Sequence, residues 1–234
     1  MQERRIFGEL GNSIPSGVVD KKGAAVGDIC ISNGIDIWFI SLANWQVYSG
    51  TEYQAIGVVV NRWYEISDGK VRVCSIPYMN CDTPDVGSMS NYYIHWNGRN
   101  ITIDGGITET RNNATATADY NGKENTAAIL AKATAQKNWR TDSSITNSDS
   151  SSTNKYFPAA CCCWRFHTLG TKQGDWYLPA AGELCKDYPN KTTVDASLQA
   201  LGMTNAHHGD YWSSTSHSST NAWVVSWYNG YANY

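Results

Sequence analysis

Residues 174–184 read Gly-Asp-Trp-Tyr-Leu-Pro-Ala-Ala-Gly-Glu-Leu, a run in which aromatic residues lead into a proline. Because proline fixes its own φ and fits the first turn of a helix, the run predicts a helix over Ala180–Tyr188. The next proline, Pro189, is expected to end that helix. We expect four residues of this run to form scaffold, packing the helix against a sheet: Trp176, Leu178, Pro179 and Leu184.

Two hairpins are predicted upstream of this helix. Asn33-Gly34 separates two strand-like runs within residues 27–40 and is a strong turn signal. A second strand pair, Ala55–Tyr64 and Lys70–Ile76, flanks Ser67-Asp68-Gly69. The apolar run within the first of these strands, residues 56–60, indicates burial on both faces.

Helices and loops alternate in the middle of the chain. Glu124–Trp139 is Ala-rich with apolar residues three and four apart, which predicts a helix. Shorter helices are predicted over Pro158–His167 and Asp195–Leu201. Residues 80–122 and 141–154 lack periodicity, so we expect a loop-rich insertion over about 80–155. With residues 1–25 as an N-terminal leader, the predicted architecture is one α+β domain over 26–234 with an antiparallel sheet.

The C-terminal segment 205–234 has an unusual composition. It holds Asn, His, Asp, Tyr, Ser, Thr, Ala, Gly and Val around three Trp, and no Lys, Glu, Gln, Leu, Ile, Met or Pro. We expect a strand over Ala222–Tyr228, a turn at Asn229-Gly230 and a last strand from Tyr231. Trp212 and Trp223 are expected to anchor strands in the core, and residues 213–215 to form a tight turn. The segment is interpreted as a ligand-binding surface rather than an active site; a polar, loop-rich C-terminus is the alternative.

Composition and charge exclude several classes of protein. The net charge is −3 with no basic stripe, so nucleic acid is not an expected partner. No run approaches the roughly 18 apolar residues of a membrane helix, so no membrane insertion is expected. Residues 1–9 have no apolar core, so no signal peptide is expected.

Seven cysteines, an odd number without CxxC spacing, predict free and largely buried thiols. No metal and no cofactor are expected.

Several motifs together resemble a known family. Beside the run at 174–184 these are Tyr211-Trp-Ser-Ser-Thr215 and Asn221-Ala-Trp-Val-Val-Ser-Trp-Tyr-Asn-Gly230, with Ala55–Val60, Asp119–Thr126 and Tyr156–Ala160 as weaker pieces. The chain resembles, over roughly residues 25–234, the variable proteins of diversity-generating retroelements of gut Bacteroides and their phages. The resemblance implies a C-type lectin fold with flanking helices. Such domains usually continue into a closing strand with Arg and Pro, which does not follow Tyr234 here.

The resemblance also implies how this segment functions. In such proteins an error-prone reverse transcriptase replaces adenines, so that Asn codons scatter into other residues. The residues between the scaffold anchors then contact ligand, and alternation along the strand points Val224, Ser226 and Tyr228 away from Trp223, Val225 and Trp227. The candidate ligand-binding residues are His207, His208, Asp210, Ser216, His217, Ser219, Asn221, Val224, Ser226, Tyr228, Tyr231 and Asn233.

The expected function is binding, not catalysis. We expect a phage tail receptor-binding protein in the virion that recognises a host-cell surface protein or glycan, with a homotrimer as a further expectation from tail proteins in general. A bacterial surface adhesin of the same fold is the alternative. A formylglycine-generating enzyme would need a cysteine pair near the C-terminus, and no Cys follows Cys185. The Glu-Pro-Asn and Trp-Asn-Asp signature of calcium-dependent lectins is absent from the sequence.

Overall fold

The computed structural model describes residues 16–48, 52–62, 71–75, 96, 107–135, 157–203 and 209–234. The architecture is α+β with antiparallel sheets, as the sequence predicts. In chain order the elements are β1 (Val18–Val19), β2 (Ile29–Ser32), β3 (Ile37–Ile40), α1 (Leu42–Tyr48), β4 (Gln54–Arg62), β5 (Val71–Ser75), α2 (Asn113–Ala116), α3 (Gly122–Ala135), α4 (Pro158–Arg165), α5 (Ala181–Asp187), a 3-10 turn (Tyr188–Asn190), α6 (Lys191–Ala200), β6 (Asp210–Ser218), β7 (Asn221–Ser226) and β8 (Ala232–Asn233).

The chain forms two compact units. The first comprises residues 1–80, 168–171 and 190–207, and the second comprises residues 81–167, 172–189 and 208–234. Whether these two units together form the one domain expected over 26–234 stays a prediction.

The first unit is a five-stranded antiparallel sheet in the order β1-β3-β2-β4-β5. Both predicted hairpins are confirmed by the pairing of β2 with β3 and of β4 with β5. β4 is buried continuously from Ala55 to Asn61, which confirms burial on both faces. α6 packs its apolar residues Val194 and Leu198 into the core of this sheet. The Ser197 hydroxyl also donates to the Gly27 carbonyl at 2.6 Å.

Three boundaries differ from the sequence prediction. The predicted leader of residues 1–25 contains β1, which pairs with β3, and Ala24, which is fully buried, so its last residues belong to the first unit. α6 begins at Lys191, four residues before the predicted Asp195. A short helix, α2, lies inside the predicted insertion and starts at Asn113 because the Asn112 side chain accepts a hydrogen bond from the Thr115 amide.

The second unit is a three-stranded antiparallel sheet, β6-β7-β8, with helices against it. One apolar cluster joins Leu184 of α5 to Trp223, Val225 and Trp227. Another joins Leu178 and Ala222 to Phe157 and residues of α3. Leu178, Leu184 and Trp223 are therefore buried, as expected of scaffold residues. Trp176 and Pro179 are half-buried, and Trp176 contacts the Phe166 ring edge-on at 5.2 Å between centroids.

The cysteines whose side chains the structure describes form no disulfide bond. Cys30 is buried, and Cys74, Cys163 and Cys185 are half-buried. Burial raises the pKa of the Cys30 thiol, and burial followed by the nearby Asp187 carboxylate raises that of Cys185. Both thiols are therefore protonated and weakly nucleophilic at neutral pH. Within the part of the chain that the structure describes, no helix is long and apolar enough to cross a membrane.

Candidate functional site

One face of the β6-β7-β8 sheet carries two rows of residues that lie opposite one another across its strands. The first row is Trp212, Val224 and Asn233, in which neighbours are paired residues of adjacent strands. The second row is Asp210, Ser226 and Tyr231. Asp210 pairs with Ser226, and the Ser226 amide donates to the Tyr231 carbonyl at 2.9 Å. Since residues two apart on a strand share a face, both rows lie on the same side of the sheet. We call these six residues the outward array.

A third row lies between these two rows and points to the other side of the sheet. Tyr211 pairs with Val225, which pairs with Ala232, and all three belong to the cluster around Trp223 and Trp227. Tyr211 contacts the Trp227 ring edge-on at 5.7 Å between centroids. Because the side chains of this row pack into the core, the outward array lies on the opposite face, away from that cluster.

The outward array combines exposed aromatic and polar side chains. Tyr231 is 69% exposed and immediately precedes β8, and Trp212 is 37% exposed on β6. Asp210 and Asn233 are exposed and Val224 is half-buried. Ser226 is 7% exposed and lies between Asp210 and Tyr231, at the base of the array. Five of these six residues were candidates from sequence.

The sixth residue corrects a prediction. Trp212 was expected to anchor a strand in the core, but its pairing with Val224 places it on the outward face. Tyr211 takes the core position instead, because it is the residue of β6 opposite Val225. Ser226, which was expected to contact ligand, is almost fully buried at the base of the array and offers little surface to a ligand.

The remaining candidates lie elsewhere. Tyr228 is 68% exposed in the turn after β7, where its carbonyl accepts a hydrogen bond from the Tyr188 hydroxyl at 3.2 Å. Ser219 is half-buried and Asn221 exposed at the β6–β7 turn. Ser216 is fully buried, which overturns its placement as a ligand contact; its hydroxyl donates to the Ser218 carbonyl at 2.5 Å. His207 and His208 lie outside the described residues.

His217 belongs to a separate aromatic cluster at the end of the sheet. Its ring stacks on Tyr234 with centroids 3.8 Å apart and planes at 4°. Both rings contact Trp223 edge-on, at 5.4 Å for His217 and 5.7 Å for Tyr234. Trp223 faces the core, so this cluster lies on the opposite face from the outward array. The stack covers Trp223 and ties Tyr234 to β6, a contact that sequence reasoning missed because it joins residues that no local pattern links.

A buried hydrogen-bond network lies beneath the sheet. The Asp119 carboxylate accepts from the Thr215 hydroxyl at 2.7 Å, from the Asn125 amide group at 2.9 Å and from the Asn121 backbone amide at 3.1 Å. The Thr215 hydroxyl accepts from the Ala181 amide, the first residue of α5, at 2.9 Å. Asp119, Asn125 and Thr215 are all at least 96% buried. The network therefore ties β6 to α3 and α5.

A bulge in β6 allows the Thr215 side chain to reach this network. Residues 213–215 form part of the strand rather than the predicted tight turn, and the register shifts between Trp212 and Ser216. The Ser213 hydroxyl donates to the Trp223 carbonyl at 2.8 Å and accepts from the Thr215 amide at 3.2 Å. These bonds replace the ladder at the bulge, so the side-chain to backbone bonding expected for a turn occurs within the strand.

The chemistry of the outward array follows from its side chains. It offers two aromatic rings, one carboxylate, one amide and two hydroxyls, those of Tyr231 and of the nearly buried Ser226, and no Lys or Arg occurs anywhere in 205–234. These groups stack and form hydrogen bonds. Across the described ranges, no three His, Cys, Asp or Glu side chains lie close enough together to hold a metal ion.

Gly230 offers a test of how the β7–β8 hairpin is fixed. Its φ is 76°, and an added Cβ would meet the Tyr188 ring, with Cε1 at 2.7 Å. That ring is fixed by its hydroxyl bond and by edge-on contact with Trp227. We expect Gly230→Ala to lower the free energy of unfolding by about 2 kcal/mol, from backbone strain plus overpacking.

Gly202→Ala is the matched control for this substitution. Its φ is 85°, but nothing lies within 4 Å of the added Cβ, so only the backbone cost of about 1 kcal/mol is expected. Urea unfolding of both variants makes the comparison. Equal losses would mean that Tyr188 moves aside without cost and does not fix the hairpin.

Comparison with known proteins gave no match. No family model, no curated protein and no solved structure is significantly similar to the chain.

Proposed function

We propose that the chain is the variable, ligand-binding protein of a diversity-generating retroelement, with a C-type lectin fold, and that it serves as a phage tail receptor-binding protein. In this proposal the outward array recognises a molecule on the surface of the host cell. The rest of the second unit is a constant scaffold that presents the array. The protein is not an enzyme in this proposal.

The observation that carries the proposal is the array itself. Five candidate residues that are scattered between positions 210 and 233 in sequence come together on one face of one sheet. Residues of the alternate row are core. A protein whose recognition residues change while its fold does not needs this separation, because substitutions on an exposed sheet face cost little stability whereas substitutions in a core cost several kcal/mol.

The motifs behind the resemblance support the same division of roles. Asp119 and Asn125 come from one motif, Ala181 and Glu183 from a second, and Thr215 from a third. Hydrogen bonds join the three motifs through Asp119 and Thr215. Within the second motif the Glu183 carboxylate accepts from the Ala180 amide at 2.8 Å and caps α5. These residues have structural partners, so they are suited to remain constant.

The coding sequence tests the proposal. We expect a reverse-transcriptase gene nearby and a second, near-identical copy of the segment that encodes residues 205–234, differing from it at adenines. Differences should fall on codons for the other five residues of the outward array, Tyr228 and the β6–β7 turn, and spare those for Trp212, Tyr211, Thr215 and Val225. DNA sequencing of the locus and of independent isolates measures this. A locus without such a repeat, or isolates that vary equally at core codons, would contradict diversification.

A further inference from the structure

We infer that the outward array binds a neutral oligosaccharide through one or two of its sugar rings, which specifies the ligand class of the proposed function and rests on it. Three properties of the array carry this inference: its size, its charge and the arrangement of its aromatic and polar groups.

The size of the array matches a small ligand. Two strand spacings separate Trp212 from Asn233 and two residues along a strand separate Val224 from Ser226, so the array measures about 10 Å by 7 Å. This is on the order of 100 Å² of sheet. A standard protein–protein interface takes in about 20 to 30 residues on each partner, against the six of the array. The array therefore matches a terminal sugar or a disaccharide and is far smaller than a protein epitope.

The charge of the array selects an uncharged ligand. Asp210 is its only carboxylic acid, and it contains no Lys, Arg or His. An anionic ligand would meet a carboxylate and no cation, which is repulsive. A calcium-bridged sugar would need several oxygen ligands, usually including clustered carboxylates. Neutral sugars need neither a cation nor a metal, because their hydroxyl groups bind amide, hydroxyl and carboxylate groups directly.

The arrangement of groups fits the two-sided character of a sugar ring. A sugar ring has apolar C–H faces and a rim of hydroxyl groups. Trp212 lies on β6 and Tyr231 immediately before β8, and both offer aromatic surface, while the exposed polar residues Asp210 and Asn233 lie beside them. Stacking on the aromatic rings covers the C–H face, and the polar groups bind the rim. Val224 at the centre completes the apolar floor.

The experiment uses the full chain, biotinylated and displayed on streptavidin to raise avidity, on a microarray of neutral oligosaccharides and sialylated counterparts. Binding is measured in EDTA. We expect binding to a subset of neutral structures and none to their sialylated forms. Trp212→Ala and Tyr231→Ala should each reduce binding about tenfold or more, because aromatic residues dominate such contacts. Tyr120→Ala, an exposed tyrosine outside the array, should bind as the wild type does.

A second measurement separates failure of this inference from failure of the proposed function. Cells of a panel of gut bacterial strains are treated with periodate, which destroys sugar rings, or with protease. Array-dependent binding that survives periodate and is lost with protease would overturn the oligosaccharide inference and leave the proposed function standing. Absence of binding to both the cells and the microarray would overturn both.

Discussion

Replacement of Asp119 by alanine is expected to destabilise the second unit by about 3 to 4 kcal/mol, the largest effect of any polar substitution described above. The carboxylate accepts three hydrogen bonds, from Thr215, Asn125 and Asn121. When the carboxylate is lost, the Thr215 and Asn125 side chains remain buried and lose this acceptor. A buried donor without an acceptor costs about 1 to 3 kcal/mol, and the space left by the carboxylate adds to it.

Asp175→Ala is the control for Asp119→Ala. Asp175 is exposed, and its carboxylate accepts one backbone hydrogen bond, from the Lys172 amide at 2.8 Å. We expect a loss of about 1 kcal/mol or less for this variant. Urea unfolding followed by tryptophan fluorescence compares the two variants, since Trp96 and Trp223 are buried in the second unit. Equal losses would show that the Asp119 network does not stabilise the sheet.

Local patterns predicted several elements of the fold. Proline at the start of α4 and before α5, and glycine at the turns of the β2–β3 and β7–β8 hairpins, were sufficient to locate these elements. The alternation of Trp223, Val225 and Trp227 predicted the core face of β7, and the three residues are buried. These features depend on backbone preferences and side-chain periodicity within a few residues, which a single sequence shows.

Pairing between strands could not be predicted in the same way. Trp212 was assigned to the core and is on the outward face, because its orientation depends on which residue of β7 lies opposite. A register shift of one residue reverses the face of every side chain. Ser216 was assigned to ligand contact and is fully buried, since it lies beyond the bulge and bonds to residues 108 and 110. The bulge has no signature in the local sequence.

The importance of Asp119 was also hidden in the sequence. Its partner Thr215 is 96 residues away, and neither residue stands in a charge cluster or a periodic run. The resemblance of their motifs to one family was the only indication that they act together. The grouping of five candidate residues into one array arises from strand register as well, which explains why the sequence suggested the residues but not their arrangement.

Simultaneous replacement of Trp212 and Tyr231 by alanine is expected to reduce binding to host cells about 100-fold or more. Trp212 lies on β6 and Tyr231 immediately before β8, and both offer exposed surface. Truncation of an aromatic residue at the centre of a contact costs about 2 kcal/mol or more, and two such losses exceed the free energy of a hundredfold change.

The same double substitution is expected to leave the fold intact. Tyr231 is 69% exposed and Trp212 is 37% exposed, so neither contributes a fully buried side chain to the core. The loss in free energy of unfolding should be about 1 kcal/mol, as for other surface substitutions with partial packing. Trp223→Ala provides the opposite control, because Trp223 is 2% exposed and its removal should cost about 3 to 5 kcal/mol.

Equilibrium binding of the Trp212→Ala/Tyr231→Ala variant to host cells therefore tests most directly whether the outward array is the ligand-binding face. The binding curve is measured by flow cytometry on a strain from the gut bacterial panel that the wild-type protein labels, with Tyr120→Ala as the matched exposed-aromatic control. The account predicts a folded double variant that has lost about 100-fold or more in apparent affinity, and a control that binds as the wild type does. A folded double variant that labels the cells with unchanged affinity would contradict it.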